Sequence, residues 1–118
     1  MKQLILLLSL LFFCSVGVMA QDDYYRRKAE SYQREAQYYQ RQAESYRREA
    51  EYYTRKAEGY QREVEYYTRR NDLDRAKIYM RYVEDAMDRA QTQLRYAAEA
   101  DDKAATYLRR AAEALRKY

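Results

Sequence analysis

Tyrosine is the residue type in this chain whose number and spacing could support chemistry. The chain contains sixteen tyrosines. Eight of them form adjacent pairs that recur every fourteen residues: Tyr24-Tyr25, Tyr38-Tyr39, Tyr52-Tyr53 and Tyr66-Tyr67. A phenol ring can pack against other rings and against cations, and its hydroxyl forms hydrogen bonds. Phenols can also be oxidised and coupled to one another, so the pairs point to contact or cross-linking chemistry.

Side chains that usually carry catalysis or hold metals are scarce. The chain has no histidine, and its one cysteine, Cys14, lies in an apolar N-terminal segment. Carboxylates are numerous, but without histidine none belongs to the Glu-x-x-His pattern of di-iron bundles. Gly59 is the only glycine beyond residue 20, which leaves no glycine-rich phosphate loop. We therefore predict no enzymatic activity, no catalytic residue, no cofactor and no metal site.

Residues 1–20 predict a cleaved secretory signal peptide. Lys2 gives a positive start, residues 4–18 form an apolar run, and Val18-Met19-Ala20 resembles the signal that a signal peptidase accepts. The run is shorter than the roughly 20 apolar residues that a membrane-spanning helix needs; an uncleaved anchor is the alternative. We expect a secreted, extracellular protein, or alternatively a periplasmic one, with no stable membrane insertion after cleavage.

Residues 21–70 form the first of two repeat arrays, and its pattern predicts one long helix. Alanine and tyrosine alternate at the 4-3 spacing of a coiled-coil seam without an interruption. The predicted seam contains Ala29, Tyr32, Ala36, Tyr39, Ala43, Tyr46, Ala50, Tyr53, Ala57 and Tyr60. Alanine lets two helix backbones approach closely, and each tyrosine supplies one large ring per heptad.

Residues 73–118 form the second array, which repeats the same fourteen-residue period with leucine, methionine and alanine. Its predicted seam places a small residue at one position of each heptad, Ala76, Val83, Ala90, Ala97, Ala104 and Ala111, and a larger apolar residue at the other. The larger residues are Leu73, Met80, Met87, Leu94, Leu108 and Leu115. Asp101 interrupts them with a charge, and such a polar residue often fixes the register of a coiled coil.

The two seams are out of phase along the chain, and this predicts a chain reversal. On a continuous helix the offset of about one and a half residues would place them on nearly opposite faces. A turn at residues 71–72 removes the conflict, because Asn71 tolerates the left-handed conformation and Asp72 can cap the next helix. The predicted fold is all-α: two long helices, residues 21–70 and 73–118, form an antiparallel coiled-coil hairpin. One long bent helix is the alternative, since no glycine or proline marks the turn.

The first residue of each tyrosine pair lies beside the seam and is predicted to be exposed. These assembly or contact residues are Tyr24, Tyr38, Tyr52 and Tyr66. A regular row of exposed aromatic side chains usually marks a contact surface. They could cover a second hairpin in a four-helix bundle, serve as the reactive groups of a cross-linked material, or only shield the edge of the seam. An arginine precedes three of them by one turn and could stack on the ring: Arg34, Arg48 and Arg62.

These features predict a secreted coiled-coil structural or assembly protein of an extracellular matrix, a fibre or a mineral-associated layer. Self-association into a homo-oligomer is expected, with an extracellular matrix partner as a further possibility. The alternative is an extracellular or periplasmic coiled-coil adaptor that binds a single protein partner. A polyanion or nucleic-acid binder is the least favoured class, because the net charge is only +4 and the two signs are interleaved.

Overall fold

The computed structural model describes residues 20–117, and two long helices account for nearly all of them. Helix α1 spans Ala20–Arg69 and helix α2 spans Leu73–Arg116. The helices run in opposite directions, because Tyr46 contacts Tyr96 while Tyr60, further along α1, contacts Tyr82. The predicted antiparallel hairpin is therefore confirmed, and the alternative of one long bent helix is wrong. Residues 1–19 of the predicted signal peptide lie outside the described residues, so that prediction is untested.

The hairpin is a rod one helix thick. Its principal dimensions are 78 × 19 × 14 Å, close to the length of about 75 Å expected for fifty residues of helix. Within the described part of the chain there is no third layer, so each helix has one face against its partner and the rest toward solvent.

A capped turn reverses the chain without glycine or proline. Asn71 adopts a left-handed conformation with φ 63°. The N–H of Asn71 donates to the carbonyl of Thr68 at 3.0 Å, and the N–H of Asp72 donates to that of Tyr67 at 2.9 Å. This pair of bonds is a Schellman motif, which satisfies the last carbonyls of α1. The Asp72 carboxylate then accepts the N–H of Arg75 at 3.3 Å and begins α2.

Alanine alone forms the buried core of the described residues. The buried side chains are Ala29, Ala36, Ala43, Ala50, Ala57, Ala76, Ala86, Ala90, Ala97, Ala100, Ala104, Ala111 and Ala114. They meet across the two helices, as where Ala43 packs with Ala97 and Ala100. The two helices supply both sides of this core, so the core of the hairpin lies within residues 20–117.

The structure places the α1 seam at the positions read from its repeat. The five seam alanines of α1 are buried, and the tyrosines between them are half-buried. These tyrosines are Tyr25, Tyr32, Tyr39, Tyr46, Tyr53, Tyr60 and Tyr67. Each ring is too large to be enclosed between two slender helices, so part of it remains at the edge of the interface.

One of the two predicted α2 seam positions lies at the interface, since Ala76, Ala90, Ala97, Ala104 and Ala111 are buried and Val83 is half-buried. The other position of the α2 seam lies one residue before the predicted position. Half-buried Tyr79, Gln93 and Tyr107 and buried Ala86, Ala100 and Ala114 occupy the second position of its heptads. The prediction for Leu94 is wrong, since that side chain is 51% exposed, and Leu73, Met80 and Met87 are exposed as well. Leu108 and Leu115 are half-buried at the margin, and Asp101 is exposed.

The volume of the α1 tyrosines explains this shift. Each heptad of α1 places one ring at the interface, and interiors tolerate little excess volume, so a leucine or methionine at every heptad of α2 would push the helices apart. Alanine occupies every second one of these α2 positions, and at two of the others the flat rings of Tyr79 and Tyr107 stack on Tyr67 and Tyr39. The larger aliphatic side chains are turned to the side.

Candidate contact surface: the tyrosine band

Each adjacent tyrosine pair forms one compact unit on α1. The two ring centroids lie 5.0–5.3 Å apart, and the ring planes meet at 70–80° in an edge-to-face arrangement. Consecutive helical residues point about 100° apart, so the second ring reaches the interface with α2 while the first remains outside. The first residues of the pairs, at the positions predicted for contact, are 41–57% exposed.

Basic residues of α2 cover the inner rings. Lys103 lies over the ring of Tyr39 at 5.5 Å, and Arg89 lies over that of Tyr53 at 5.9 Å. Arg75 lies over Tyr67 at 5.6 Å. These distances are within the range of cation–π attraction.

The basic residues follow the same fourteen-residue period as the rings, in the opposite direction along the chain. Lys117 continues their series and shares a surface groove with Tyr25 at the open end of the hairpin. Sequence reasoning missed this match. Comparing the period of basic residues in one array with the period of tyrosine pairs in the other would have revealed it.

The outer rings are covered by residues of α1 and by Arg70, which directly follows this helix. Lys28, Lys56 and Arg70 lie over Tyr24, Tyr52 and Tyr66 at 5.6, 5.1 and 4.7 Å. At the remaining pair, Gln42 donates a hydrogen bond to the hydroxyl of Tyr38 at 2.8 Å. The covering residue follows each tyrosine by four positions, so the prediction that an arginine four positions earlier would do so is wrong. One of those arginines, Arg48, forms an ion pair with Glu44 at 3.7 Å instead.

Two of these cations are held in their charged form by the phenols. The hydrogen bond from Lys56 to Tyr52 raises the pKa of the Lys56 ammonium. The hydrogen bond between Arg89 and Tyr53, together with the charge of Asp85, raises the pKa of the Arg89 guanidinium.

Further tyrosines of α2 contact two of the pairs and the single tyrosines Tyr32, Tyr46 and Tyr60 of α1, so the rings form a row of clusters along the hairpin. Tyr107 stacks on Tyr39 with centroids 5.7 Å apart, and Tyr79 stacks on Tyr67 at 5.6 Å. Tyr96 packs on Tyr46 at 5.4 Å. Every tyrosine of residues 20–117 has another tyrosine ring within 6.2 Å. We call this row the tyrosine band.

The exposed part of the band lies along one side of the rod. It contains Tyr24, Tyr38, Tyr52 and Tyr66 of α1, with Tyr82 and Tyr96 of α2. The fourteen-residue spacing of the α1 members corresponds to about 21 Å along the helix. Phenol hydroxyls and ring edges therefore reach the surface at regular intervals over most of the rod.

No cluster of metal-binding side chains accompanies the band in the described part of the chain. Residues 20–117 contain no group of histidine, cysteine, aspartate and glutamate side chains suited to a metal ion. Neither of the two described helices is long and apolar enough to span a bilayer. The chain matches no protein-family model, no curated protein and no solved structure.

Proposed function

We propose that this protein is a secreted coiled-coil structural protein that assembles into an extracellular matrix, a fibre or a mineral-associated layer. The observation that carries the proposal is the row of exposed tyrosines repeating every 21 Å or so along a narrow rod. Exposed aromatic side chains at regular intervals suit repeated contact with other molecules. A single binding event would need only one patch, whereas a material needs many equal ones.

The outer rings are held in place before any contact forms. Tyr38 touches the ring of Tyr39 and accepts the hydrogen bond of Gln42, and Tyr52 lies between Tyr53 and Lys56. Tyrosine has few rotatable bonds, so such rings lose little conformational entropy on binding. This preorganisation favours repeated, weak contacts that add up along the rod.

The same phenols are accessible to oxidative coupling, which would fix an assembly covalently. In the presence of a peroxidase and hydrogen peroxide, each of two phenols loses one electron and one proton. The two phenoxyl radicals then join through a ring carbon next to the hydroxyl. One molecule of hydrogen peroxide accepts both electrons and both protons and becomes two molecules of water, while one carbon–carbon bond replaces two carbon–hydrogen bonds.

The experiment compares two sets of substitutions in residues 21–118 by light scattering at increasing concentration. Tyr24, Tyr38, Tyr52 and Tyr66 are all changed to serine in one variant and to phenylalanine in the other. The repeat itself carries serine at the equivalent positions Ser31 and Ser45, so the serine variant should keep its helicity. Large assemblies are expected from the parent chain and from the phenylalanine variant, and not from the serine variant.

Peroxidase treatment of the same proteins tests the cross-linking role. Covalent multimers and dityrosine fluorescence are expected from the parent chain and should fall severalfold in both variants, because neither has phenols in the outer row. A serine variant that assembles as well as the parent would contradict the proposal. A parent chain that stops at a small defined oligomer would favour a single-partner adaptor instead.

A further inference from the structure

A second regular surface lies on α2, away from the tyrosine band. Leu73, Met80, Met87 and Leu94 are 41–55% exposed and follow each other at intervals of seven residues. The same helical position continues through Asp101 to the half-buried Leu108 and Leu115. We call Leu73, Met80, Met87, Leu94, Leu108 and Leu115 the aliphatic stripe. Four large apolar side chains in a row on a free helix face are unusual for a chain that remains single.

The aliphatic stripe and the tyrosine band occupy opposite sides of the hairpin. Asp101, which shares the helical position of the stripe, pairs with Arg47 at 2.9 Å and marks one edge of the α1–α2 interface. Arg89, over Tyr53, marks the other edge. On an antiparallel helix pair the residues beside the two edges of the seam point to opposite sides. A molecule docked on the stripe therefore leaves the band free.

Exposed alanines complete the stripe in the second half of α2. Ala98, Ala105 and Ala112 are exposed, and each lies four residues after a stripe position, on the same side of the helix. In the first half of α2 the corresponding residues are Lys77, Glu84 and Gln91. The exposed large apolar side chains thus lie in the first half of α2, and the exposed small ones lie in the second half.

We propose that a second copy of this chain docks on the aliphatic stripe, with the two α2 helices antiparallel. In an antiparallel pair, the large exposed side chains in the first half of one α2 lie against the small exposed alanines in the second half of the other α2. In one register Leu94 faces Ala98, Met87 faces Ala105 and Met80 faces Ala112 of the second copy. Large side chains also face small ones where α1 packs on α2 within each hairpin. A second copy of the chain supplies this match on the stripe, because the two halves of α2 complement each other when two copies are antiparallel.

Polar residues agree with the same register. It places Gln91 against Asp101 of the second copy, where the amide can donate to the carboxylate, and such a polar layer sets register in helix pairs. The long side chains of Lys77 and Glu84 lie over Leu115 and Leu108 of the second copy. Their aliphatic stems can cover these leucines while the charges remain in water.

The area of this contact is sufficient for a specific dimer. The two helices overlap from residue 77 to residue 115, about 57 Å at 1.5 Å per residue, over a width of about 10 Å. This corresponds to roughly 1,100 Å² in total, just above the lower limit of about 1,000 Å² for a biological interface. The stripe is also continuous with the hairpin core, since Leu115 packs against the cluster of Ala29, Ala111 and Ala114.

Sedimentation equilibrium on residues 21–118 tests the dimer. Changing Met80, Met87 and Leu94 to glutamine removes exposed apolar surface without altering the alanine core or adding charge. At concentrations below those that give the larger assemblies, we expect a dimer for the parent chain and at least a tenfold weaker association for the variant, with the helical circular dichroism retained at high concentration. Ile78→Gln is the matched control, since Ile78 is also exposed and apolar but lies on the band side of α2; it should leave the dimer intact.

A disulfide test fixes the register. Beyond residue 20 the chain has no cysteine, so Met87→Cys with Ala105→Cys creates a pair that should cross-link two copies on oxidation. The two positions in one chain are about 27 Å apart and cannot bond to each other. Leu94→Cys with Ala105→Cys should not cross-link in this register. A monomeric parent chain, or cross-linking of the control pair alone, would overturn the proposal.

The dimer does not depend on the proposed function. The serine variant of the outer tyrosine row should remain dimeric while it loses the larger assemblies. The glutamine variant of the stripe should lose the dimer. A dimer that dissociates in the serine variant and persists in the glutamine variant would assign the contact to the band and overturn the inference.

Discussion

At the residue scale, Asp101 illustrates how position decides what a charged side chain does. The sequence pattern places it inside the α2 seam, where it would be an isolated charge among apolar side chains. In the structure it lies at the edge of the seam and pairs with Arg47 of α1, with both side chains about half exposed. An exposed pair of this kind contributes little to stability, because water screens it and two side chains must be ordered.

The first prediction concerns this ion pair. A double-mutant cycle with Arg47→Gln and Asp101→Asn should give a coupling free energy of about 0.2–1 kcal/mol. The coupling should decrease as salt is added, because the pair is accessible to counterions. Urea unfolding of the four proteins measures it. A coupling of several kcal/mol would mean that the ion pair is much better shielded from water than its exposure in the structure indicates.

The second prediction concerns Tyr79, whose ring contacts Tyr60, Tyr67 and Tyr82. Removal of its hydroxyl from water raises the pKa of Tyr79, and the neighbouring Tyr67 and Glu63 add to the effect. The folded chain therefore favours the neutral phenol, whereas the unfolded chain ionises near pH 10. The resulting stability is present below pH 10 and is lost as the pH rises through the folded pKa.

Tyr79→Phe should therefore reduce the alkaline loss of stability, because phenylalanine cannot ionise. The effect is measured as the change in melting temperature, monitored by circular dichroism, between pH 8 and about 11. This range includes the pKa of free tyrosine. Tyr24→Phe is the control, since Tyr24 is among the most exposed of the tyrosines in the described residues. Equal effects of the two substitutions would contradict the role given to Tyr79.

At the element scale, the two helices differ in how well their buried faces could be predicted from sequence. In α1 only the Ala/Tyr face has an unbroken heptad repeat, so the pattern identifies residues such as Ala36 and Tyr39 directly. In α2 three positions of the heptad carry apolar residues, and leucine and methionine lose more from exposure than alanine does. The pattern therefore favours the heptad position that contains Leu94 over the neighbouring position that contains Ala100. The choice fails because the α1 tyrosines are faced by alanine or by a stacked ring, as at Ala100 and Tyr107, which a reading of α2 alone does not consider.

The band was only partly predictable for the same reason. The exposure of Tyr24, Tyr38, Tyr52 and Tyr66 follows from their position beside the α1 seam. The cations over the inner rings, such as Lys103 over Tyr39, depend on how the two helices align. That alignment is set by the length of the turn and by the packing of both faces together.

The third prediction concerns the turn between the helices. Asn71 has a positive φ, which costs most residues with a side chain about 1–2 kcal/mol but costs glycine nothing. Asn71→Ala should destabilise the hairpin by about 1 kcal/mol, and Asn71→Gly should be neutral or slightly stabilising. Chemical denaturation compares them. A result in which alanine and glycine are equivalent would show that the turn does not constrain this residue.

The fourth prediction concerns the width of the alanine core. Ala43 is fully buried against α2, so Ala43→Leu should cost about 1–3 kcal/mol through overpacking, although leucine forms helices well. Gln37→Leu, at an exposed position of the same helix, should change stability by less than about 0.5 kcal/mol. A stabilising effect of Ala43→Leu would imply unfilled space between the helices.

At the scale of the whole molecule, the hairpin presents two different long sides. The tyrosine band offers aromatic rings and hydroxyls, and the aliphatic stripe offers leucine and methionine. A two-fold dimer through the stripe would carry one band on each outer side. Lateral contacts between the bands of neighbouring dimers would then add further dimers on both sides, because such contacts do not close the assembly.

The fifth prediction concerns the isolated rod. A chain that combines the serine substitutions of the outer tyrosine row with the glutamine substitutions of the stripe should be monomeric. Its radius of gyration, measured by small-angle X-ray scattering, should be close to the 23.2 Å of the single hairpin. A much larger radius at monomeric mass would mean that the two arms separate once both outer surfaces are removed.

The opposite directions of the two fourteen-residue arrays restrict how this protein can change its length. Every repeat unit in one arm faces a unit in the other, so adding a unit to α1 alone would leave an overhang of about 21 Å without an opposing cation or alanine. A longer hairpin therefore requires matched insertions on both sides of Asn71. Genetic duplication of a single repeat would give a chain with one unpaired end. A paired duplication would give a longer rod in which every tyrosine pair of α1 still faces a repeat unit of α2.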